Sequence, residues 1–191
     1  EEKIITPQTT IMSVGGLKVG NWYFKDWKIG GHGPTNLLKA IAWSVNTFFY
    51  YIGGGYGDFV GLGVDRITKY FREFNIGHQT GIDLPGEASG FIPSRDWKKT
   101  TKRENWYIGD TYNLSIGQGD LLVTPLQVAV WTAAIANSGN LVQPHIGQYL
   151  KSSIDNKIIS LAPLFKKTNI VSANSVYWAK QGARECVVNG S

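Results

Sequence analysis

A chain of 191 residues suits one domain with a real core, and a composition of 42% hydrophobic and 17% charged residues excludes disorder. The formal net charge of +5 comes from scattered basic residues, except in RDWKKTTKR at 95–103; it points to no nucleic-acid partner, and the cluster reads as a solvated helix and loop. The one cysteine, Cys186, excludes an internal disulfide, and no stretch approaches the roughly 20 apolar residues of a membrane span.

In chain order, residues 1–33 are rich in glycine and aromatics without helical period, which predicts a short strand or two and a loop. Thr35 or Asn36 then caps a helix whose face is Leu37, Leu38, Ile41 and Ala42, arriving at Ser44. A second short helix is predicted over Thr47 to Tyr51, before the breaker GGGYG at 53–57. Residues 65–74 follow, with Ile67, Tyr70, Phe71 and Phe74 on one face. Thr80 to Ser94, TGIDLPGEASGFIPS, holds too many turn residues for regular structure, and loops of that length are functional or tightly packed. Thr124 at N-cap, Pro125 at N1, Gln127 as capping-box partner and Gly139 at C′ frame a helix that is apolar nearly all round, hence predicted at the buried centre. Residues 145–161 read as a hairpin turning near Asp155 and Asn156. A final helix runs from about Ser172 to Asn189 with Val176, Ala179, Ala183 and Cys186 on one face. The tally is mostly helix, an α+β domain.

Few residues offer chemistry. His32, His78 and His145 stand beside glycine or proline, and Asp26 with His32 supplies only two candidate metal ligands, too few for a zinc site. No G-x-S-x-G elbow, H-E-x-x-H, P-loop or dinucleotide fingerprint occurs. What stands out is Ser44-Val45-Asn46 inside the apolar run IAWSVNTFFY, where an unpartnered hydroxyl or amide costs on the order of 1–3 kcal/mol if buried. Two further S-x-N triplets, at Ser138–Asn140 and Ser172–Asn174, are explained by helix capping. The first needs either partners from the fold or a cavity.

Three long blocks supply a context: GGHGPTNLLKAIAWSVNTFFYYIG, TGIDLPGEASGFIPSRDWK and GDTYNLSIGQGDLLVTPLQVAVWTAAIANSGNLVQPH. In this order and spacing, from about Thr6 to His145, the chain resembles the transpeptidase domain of class B penicillin-binding proteins, most closely the penicillin-binding protein 2 group. The resemblance implies a helical subdomain and part of the sheet of a penicillin-binding, serine β-lactamase-like fold. It implies that Ser44 is a proton-relay hydroxyl and Asn46 an amide that holds the substrate backbone, lining a cleft. Such chemistry also needs a serine nucleophile with a lysine base and an oxyanion hole.

The chain departs from that pattern. No serine is followed three residues later by lysine, and no K-T-G or K-S-G occurs. Residues 1–191 are therefore expected to be the central part of one transpeptidase domain, lacking the S-x-x-K segment upstream and the K-T-G segment downstream, and inactive alone. Some members of the group hold a structural zinc through an aspartate, a histidine and a cysteine at the middle of S-x-N. Asp26 and His32 look like remnants of that set, but the middle residue is Val45, so no metal is expected and the loop should be held by packing of Trp22, Phe24 and Trp27. Gly117, Gln118, Gly119, Thr124 and Pro125 are read as scaffold that lets backbone approach closely, and Asp110 as a buried hydrogen-bond acceptor.

For the intact parent the resemblance implies cross-linking of peptidoglycan stem peptides through an acyl-serine, β-lactam binding, and no cofactor. It also implies a glycosyltransferase and elongation-machinery partners at the periplasmic face of the cytoplasmic membrane. The rival from another class is a non-catalytic penicillin-binding-like module that binds peptidoglycan or a cell-wall synthesis partner. A carbohydrate-binding module, suggested by seven tryptophans, is the third, although their apolar setting favours core packing.

Overall fold

The structure, a computed structural model, describes residues 1–190. Strands are short and antiparallel, paired two by two: β1 (Ile11–Ser13) with β4 (Gly33–Thr35), β2 (Gly16–Val19) with β3 (Trp22–Lys25), β5 (Leu141–Gln143) with β8 (Leu164–Lys167), and β6 (Tyr149–Lys151) with β7 (Ile158–Ser160). Among the described residues no ladder exceeds two strands. The core therefore sits between helices: α1 (Leu37–Ala42), α2 (Asn46–Gly54), α3 (Gly63–Glu73), α4 (Arg95–Trp97) continuing into a wide π turn at Lys98–Lys102, α5 (Ile108–Ser115), α6 (Pro125–Ala136) and α7 (Ala173–Asn189).

Helix α2 is the hub. Phe48 packs with Ile11, Ala40 and Val45 on one side, and Tyr50 with Leu17 and Tyr112 on another. The helix runs three residues past its predicted end at Tyr51, through Gly53 and Gly54. These glycines admit α5 rather than break α2: a Cβ on Gly53 would lie 2.8 Å from Ser115 Oγ, and one on Gly54 2.6 Å from Tyr112 Cδ1. Tyr112 then donates its hydroxyl to the Gly55 carbonyl at 2.6 Å, closing the contact. Helix α5 itself escapes a sequence reading because it is short and holds Gly109; Asp110 accepts from the Tyr107 amide at 2.7 Å and starts it.

Helix α6 corrects an expectation. Its capping box forms as predicted, with Thr124 Oγ1 accepting from the Gln127 amide at 3.1 Å and Gln127 Oε1 from the Thr124 amide at 2.9 Å. Yet only Gln127, Val130 and Ala134 are buried, and Val128 is exposed. An all-round apolar pattern names no direction, so neighbours alone decide which face is covered. The helix also ends earlier, with Ser138 at φ 59° preceding Gly139 at φ 86°.

The 145–161 hairpin is β6–β7, and Asn156 at φ 57° takes the left-handed position a glycine would otherwise fill. On α7 the buried residues are Val176 and Gly182, whereas Ala183 and Cys186 are exposed. Gly182 admits α1, since a Cβ there would fall 2.8 Å from Ile41 Cβ. The basic cluster is not wholly solvated: Lys98 is 6% exposed. It bonds Asp110 and lies 3.4 Å from Glu104, and Lys102 pairs with Asp120 at 2.6 Å.

Candidate active site

Trp43, Ser44 and Val45 link α1 to Asn46, the first residue of α2. Asn36 ends the approach by capping α1, accepting from the Lys39 amide at 3.0 Å. Ser44 then takes φ 51°, a left-handed conformation uncommon for a residue with a Cβ, which turns the chain sharply into α2. Val45 is fully buried in the core, Ser44 is exposed, and Asn46 is half-buried as the first residue of α2. The side chains of Ser44 and Asn46 stand two residues apart on one turn and are not consumed by capping, since the α2 N-cap is Val45, without a side-chain bond.

The hydrogen bonds of this turn run through the loop between β3 and β4 instead. Asp26 Oδ2 accepts from the Thr47 amide at 2.8 Å and from Thr47 Oγ1 at 2.7 Å. Ser13 Oγ lies 3.5 Å from the same oxygen, and Oδ1 accepts from the Trp27 amide at 2.9 Å. Trp27 Nε1 donates to the carbonyls of Trp43 at 2.9 Å and Ser44 at 3.1 Å. Of Trp22, Phe24 and Trp27, expected to hold this loop by packing, Phe24 packs edge-on to Tyr50 and Tyr112, and Trp27 edge-on to His32. Trp22 is 76% exposed, and Trp27, 53% exposed, acts through its indole N–H. None of the seven tryptophans is fully buried, but Trp43 and Trp106, half-buried, pack against core clusters as expected.

His32 comes within 3.6 Å of Asp26 Oδ1, its ring stacked edge-on to Trp27. Both ring nitrogens are buried without a hydrogen-bond partner among the described residues. Burial pushes the imidazole pKa down, more than the Asp26 carboxylate raises it, with Lys28 and Lys39 adding to the fall. The donor set does not suit a zinc ion. Asp26 already accepts amide and hydroxyl hydrogens, Val45 presents methyl groups, and among the described residues no cluster of three His, Cys, Asp or Glu forms.

The remaining residues singled out in the sequence make structural contacts or turns of their own. Asp110, half-buried, takes both a lysine and a helix-starting amide. Gly117 and Gly119 have φ 72° and 81°; no close backbone approach is involved, since a Cβ on Gly117 would meet nothing within 4 Å. His78 and His145 lie apart from the Ser44 turn: His78 offers its carbonyl to Gln127, and the His145 ring lies 2.7 Å from the Gly147 carbonyl. The signal sequence reasoning missed is Thr47, whose hydroxyl and amide both turn inward to Asp26. A threonine at a helix start was visible; its partner across 21 residues was not.

The helical subdomain with its short strand pairs thus presents a serine and an asparagine two residues apart at the head of α2. Residues 1–180 match the family model described as penicillin binding protein transpeptidase domain. The chain belongs to that family. It is 36% identical over 177 residues to the peptidoglycan D,D-transpeptidase MrdA of Salmonella typhimurium strain LT2, covering 92% of this chain and 27% of the relative. Over 123 residues it is 42% identical to the MrdA protein of Acinetobacter baumannii, covering 64% and 17%. Among solved structures, the penicillin-binding protein PBP2 of Helicobacter pylori is 37% identical with a TM-score of 0.76, covering 97% of this chain and 32% of that one. The chain thus spans about a quarter of the length of curated relatives such as the Salmonella protein.

Proposed function

We propose that these residues are the central portion of the transpeptidase domain of a peptidoglycan D,D-transpeptidase. In this reading the nucleophilic serine and its lysine, in S-x-x-K, and the K-T-G segment belong to parts of the protein outside residues 1–191. Ser44 is the proton-relay hydroxyl and Asn46 the amide that clamps the substrate backbone by donating and accepting at once. The observation that carries the reading is the Ser44 turn: an exposed serine at φ 51° beside Asn46, neither side chain hydrogen-bonded among the described residues, in a chain matched to the family over residues 1–180.

The chemistry follows from those roles. Attack by the nucleophilic serine on a D-alanyl peptide carbonyl, or on a β-lactam carbonyl, moves the hydroxyl proton to the lysine; Ser44 relays it to the departing nitrogen, leaving an acyl-serine. Asn46 holds the peptide bond next to the reacting carbonyl so that the face of the carbonyl is turned to the nucleophile. Relatives indicate the partner classes. One solved structure is a complex of the Helicobacter pylori PBP2 with MreC, and another is of a peptidoglycan synthase complex that coordinates polymerization and crosslinking. A related penicillin-binding protein 3 from Mycobacterium was solved with aztreonam. An MreC-like elongation protein, a glycosyltransferase and β-lactams are accordingly the partners proposed here, at the periplasmic face of the membrane. Among the described residues no helix is long and apolar enough to cross a membrane.

Intact-mass analysis after incubation with a penicillin tests this. The 191-residue chain, folded by circular dichroism, is expected to take no adduct, while a longer form that includes the S-x-x-K segment takes one, on that serine. An adduct on Ser44, or a folded longer form that takes none, overturns the reading; the second result favours the non-catalytic module.

A further inference from the structure

The residues that hold the Ser44 turn are adjacent in sequence and sit on opposite sides of it. Trp27 grips the incoming side, donating one indole N–H to the carbonyls of Trp43 and Ser44. Asp26 grips the outgoing side, accepting the amide and hydroxyl of Thr47. Between them Val45 is fully buried and acts as a peg in the core. We propose that Asp26 and Trp27 are positioning residues that clamp Ser44-Val45-Asn46 from both ends by hydrogen bonds alone, with no metal; the inference rests on the transpeptidase reading for its consequence on rate.

A left-handed serine has to be held by its surroundings, because the local backbone energy disfavours it. The clamp does this through main-chain groups, which leaves Ser44 Oγ and the Asn46 amide free for a substrate. Asp26 is well placed to hold the turn. It is 7% exposed, and its oxygens face the Trp27 amide and the Thr47 amide and hydroxyl, with Ser13 Oγ near the limit of bonding distance. Hydrogen bonds to a buried carboxylate are among the strong ones, so the geometry of the α2 N-terminus follows the position of Asp26. The loop carrying both residues is in turn tied to the strands below. The Asp26 amide donates to the Gly15 carbonyl at 2.9 Å, and the His32 amide donates to Ser13 Oγ at 3.3 Å.

The test reads the clamp and the reaction separately. In the 191-residue chain, amide exchange followed by nuclear magnetic resonance reports Thr47 directly. Asp26→Ala is expected to speed exchange at Thr47 by about 10- to 100-fold, leaving α3 amides unchanged. In the longer, penicillin-acylating form, Asp26→Ala and Trp27→Phe are expected to lower the acylation rate constant about 10- to 100-fold. Penicillin affinity should change much less, and Asp26→Asn, which still accepts from Thr47, should recover most of the rate. Loss of folded protein alone would lower the active fraction, not the rate constant of what remains, and Asn would have nothing specific to restore. Unchanged Thr47 exchange in folded Asp26→Ala overturns the clamp. So does stoichiometric zinc in purified wild-type protein whose removal by a chelator speeds that exchange. If the wild-type longer form takes no penicillin, the transpeptidase reading fails, while Thr47 exchange still decides the clamp.

Discussion

Lys98 and Asp110 meet twice: the ammonium donates to Oδ1 at 2.8 Å and to Oδ2 at 2.7 Å, joining the π turn to the start of α5. The lysine side chain is 8% exposed and the aspartate 25%. This lysine, from the most basic stretch of the chain, is thus a structural tie.

Removing Lys98 leaves the half-buried Asp110 carboxylate without its cation, bonded only to the Tyr107 amide. Lys98→Ala is expected to cost about 2–3 kcal/mol, below the range for a fully buried pair because Asp110 keeps some water. The double variant Lys98→Ala/Asp110→Ala should cost less than the sum of the singles in urea unfolding. Burial alone would push the Lys98 pKa down, but bonding and attraction to Asp110 and Glu104 outweigh it and raise it. A raised folded pKa means stability that is complete below the unfolded lysine value of about 10.4. It is lost as pH rises through the folded value, so the wild-type advantage over the double variant should persist at neutral pH and shrink only in strong alkali.

Glu87 staples the long TGIDLPGE loop. Its Oε1 accepts from the Thr80 amide and hydroxyl at 2.6 and 2.5 Å, and Oε2 from the Gly81 amide at 2.9 Å. Burial favours a higher pKa, yet these bonds, with one from Ile82, hold the carboxyl below its ordinary value. Stability from a depressed carboxyl is present above the unfolded value of about 4.3 and lost as pH falls through the folded one. Glu87→Gln should therefore cost about 1–2 kcal/mol at neutral pH. Thermal melts at descending pH should show the difference from wild type closing below pH ~4.

Gly53→Ala should reverse the usual sign. Inside an exposed helix the change stabilises by about 0.5–1 kcal/mol. Here the added methyl meets Ser115, 2.8 Å from its Oγ, and pushes α5 away. A loss of about 1–3 kcal/mol is expected from overpacking, read as a lower melting temperature.

Gln127 is more than a capping-box residue. Its Nε2 donates to the carbonyls of His78 and Ser89, both at 2.8 Å, pinning the loop to α6. Gln127→Glu places a carboxylate oxygen against two carbonyl oxygens and is expected to cost about 2–4 kcal/mol. Protonation restores one donor, so the deficit in a melt should be smaller in acid than at neutral pH.

Local signals were legible from the residues. Asn36 and Thr124 cap helices because a short side-chain oxygen reaches the first amides wherever it stands. The hairpin turn near Asn156 and the isolation of Ser44 and Asn46 in an apolar run needed no partner to be noticed. Contacts whose other half lies far along the chain were illegible. Gly53 and Gly54 read as a helix breaker although they are a docking face for α5, and Gly182 reads as no one's contact although α1 crosses there. Lys98 reads as solvated because charge patterning does not record that Asp110 faces it.

By itself, then, the sequence determined most of the helices, the caps at Asn36, Thr124 and Ser172, the family resemblance and the pair Ser44 and Asn46, because propensity, capping and spacing act over a few residues. Only the tertiary structure decided what holds that pair. The bonds from Asp26 to Thr47 and from Trp27 to Trp43 and Ser44 span 16 to 21 positions. Such bonds exist only once the loop has folded against α2 and excluded water from a buried carboxylate, and no local pattern encodes that.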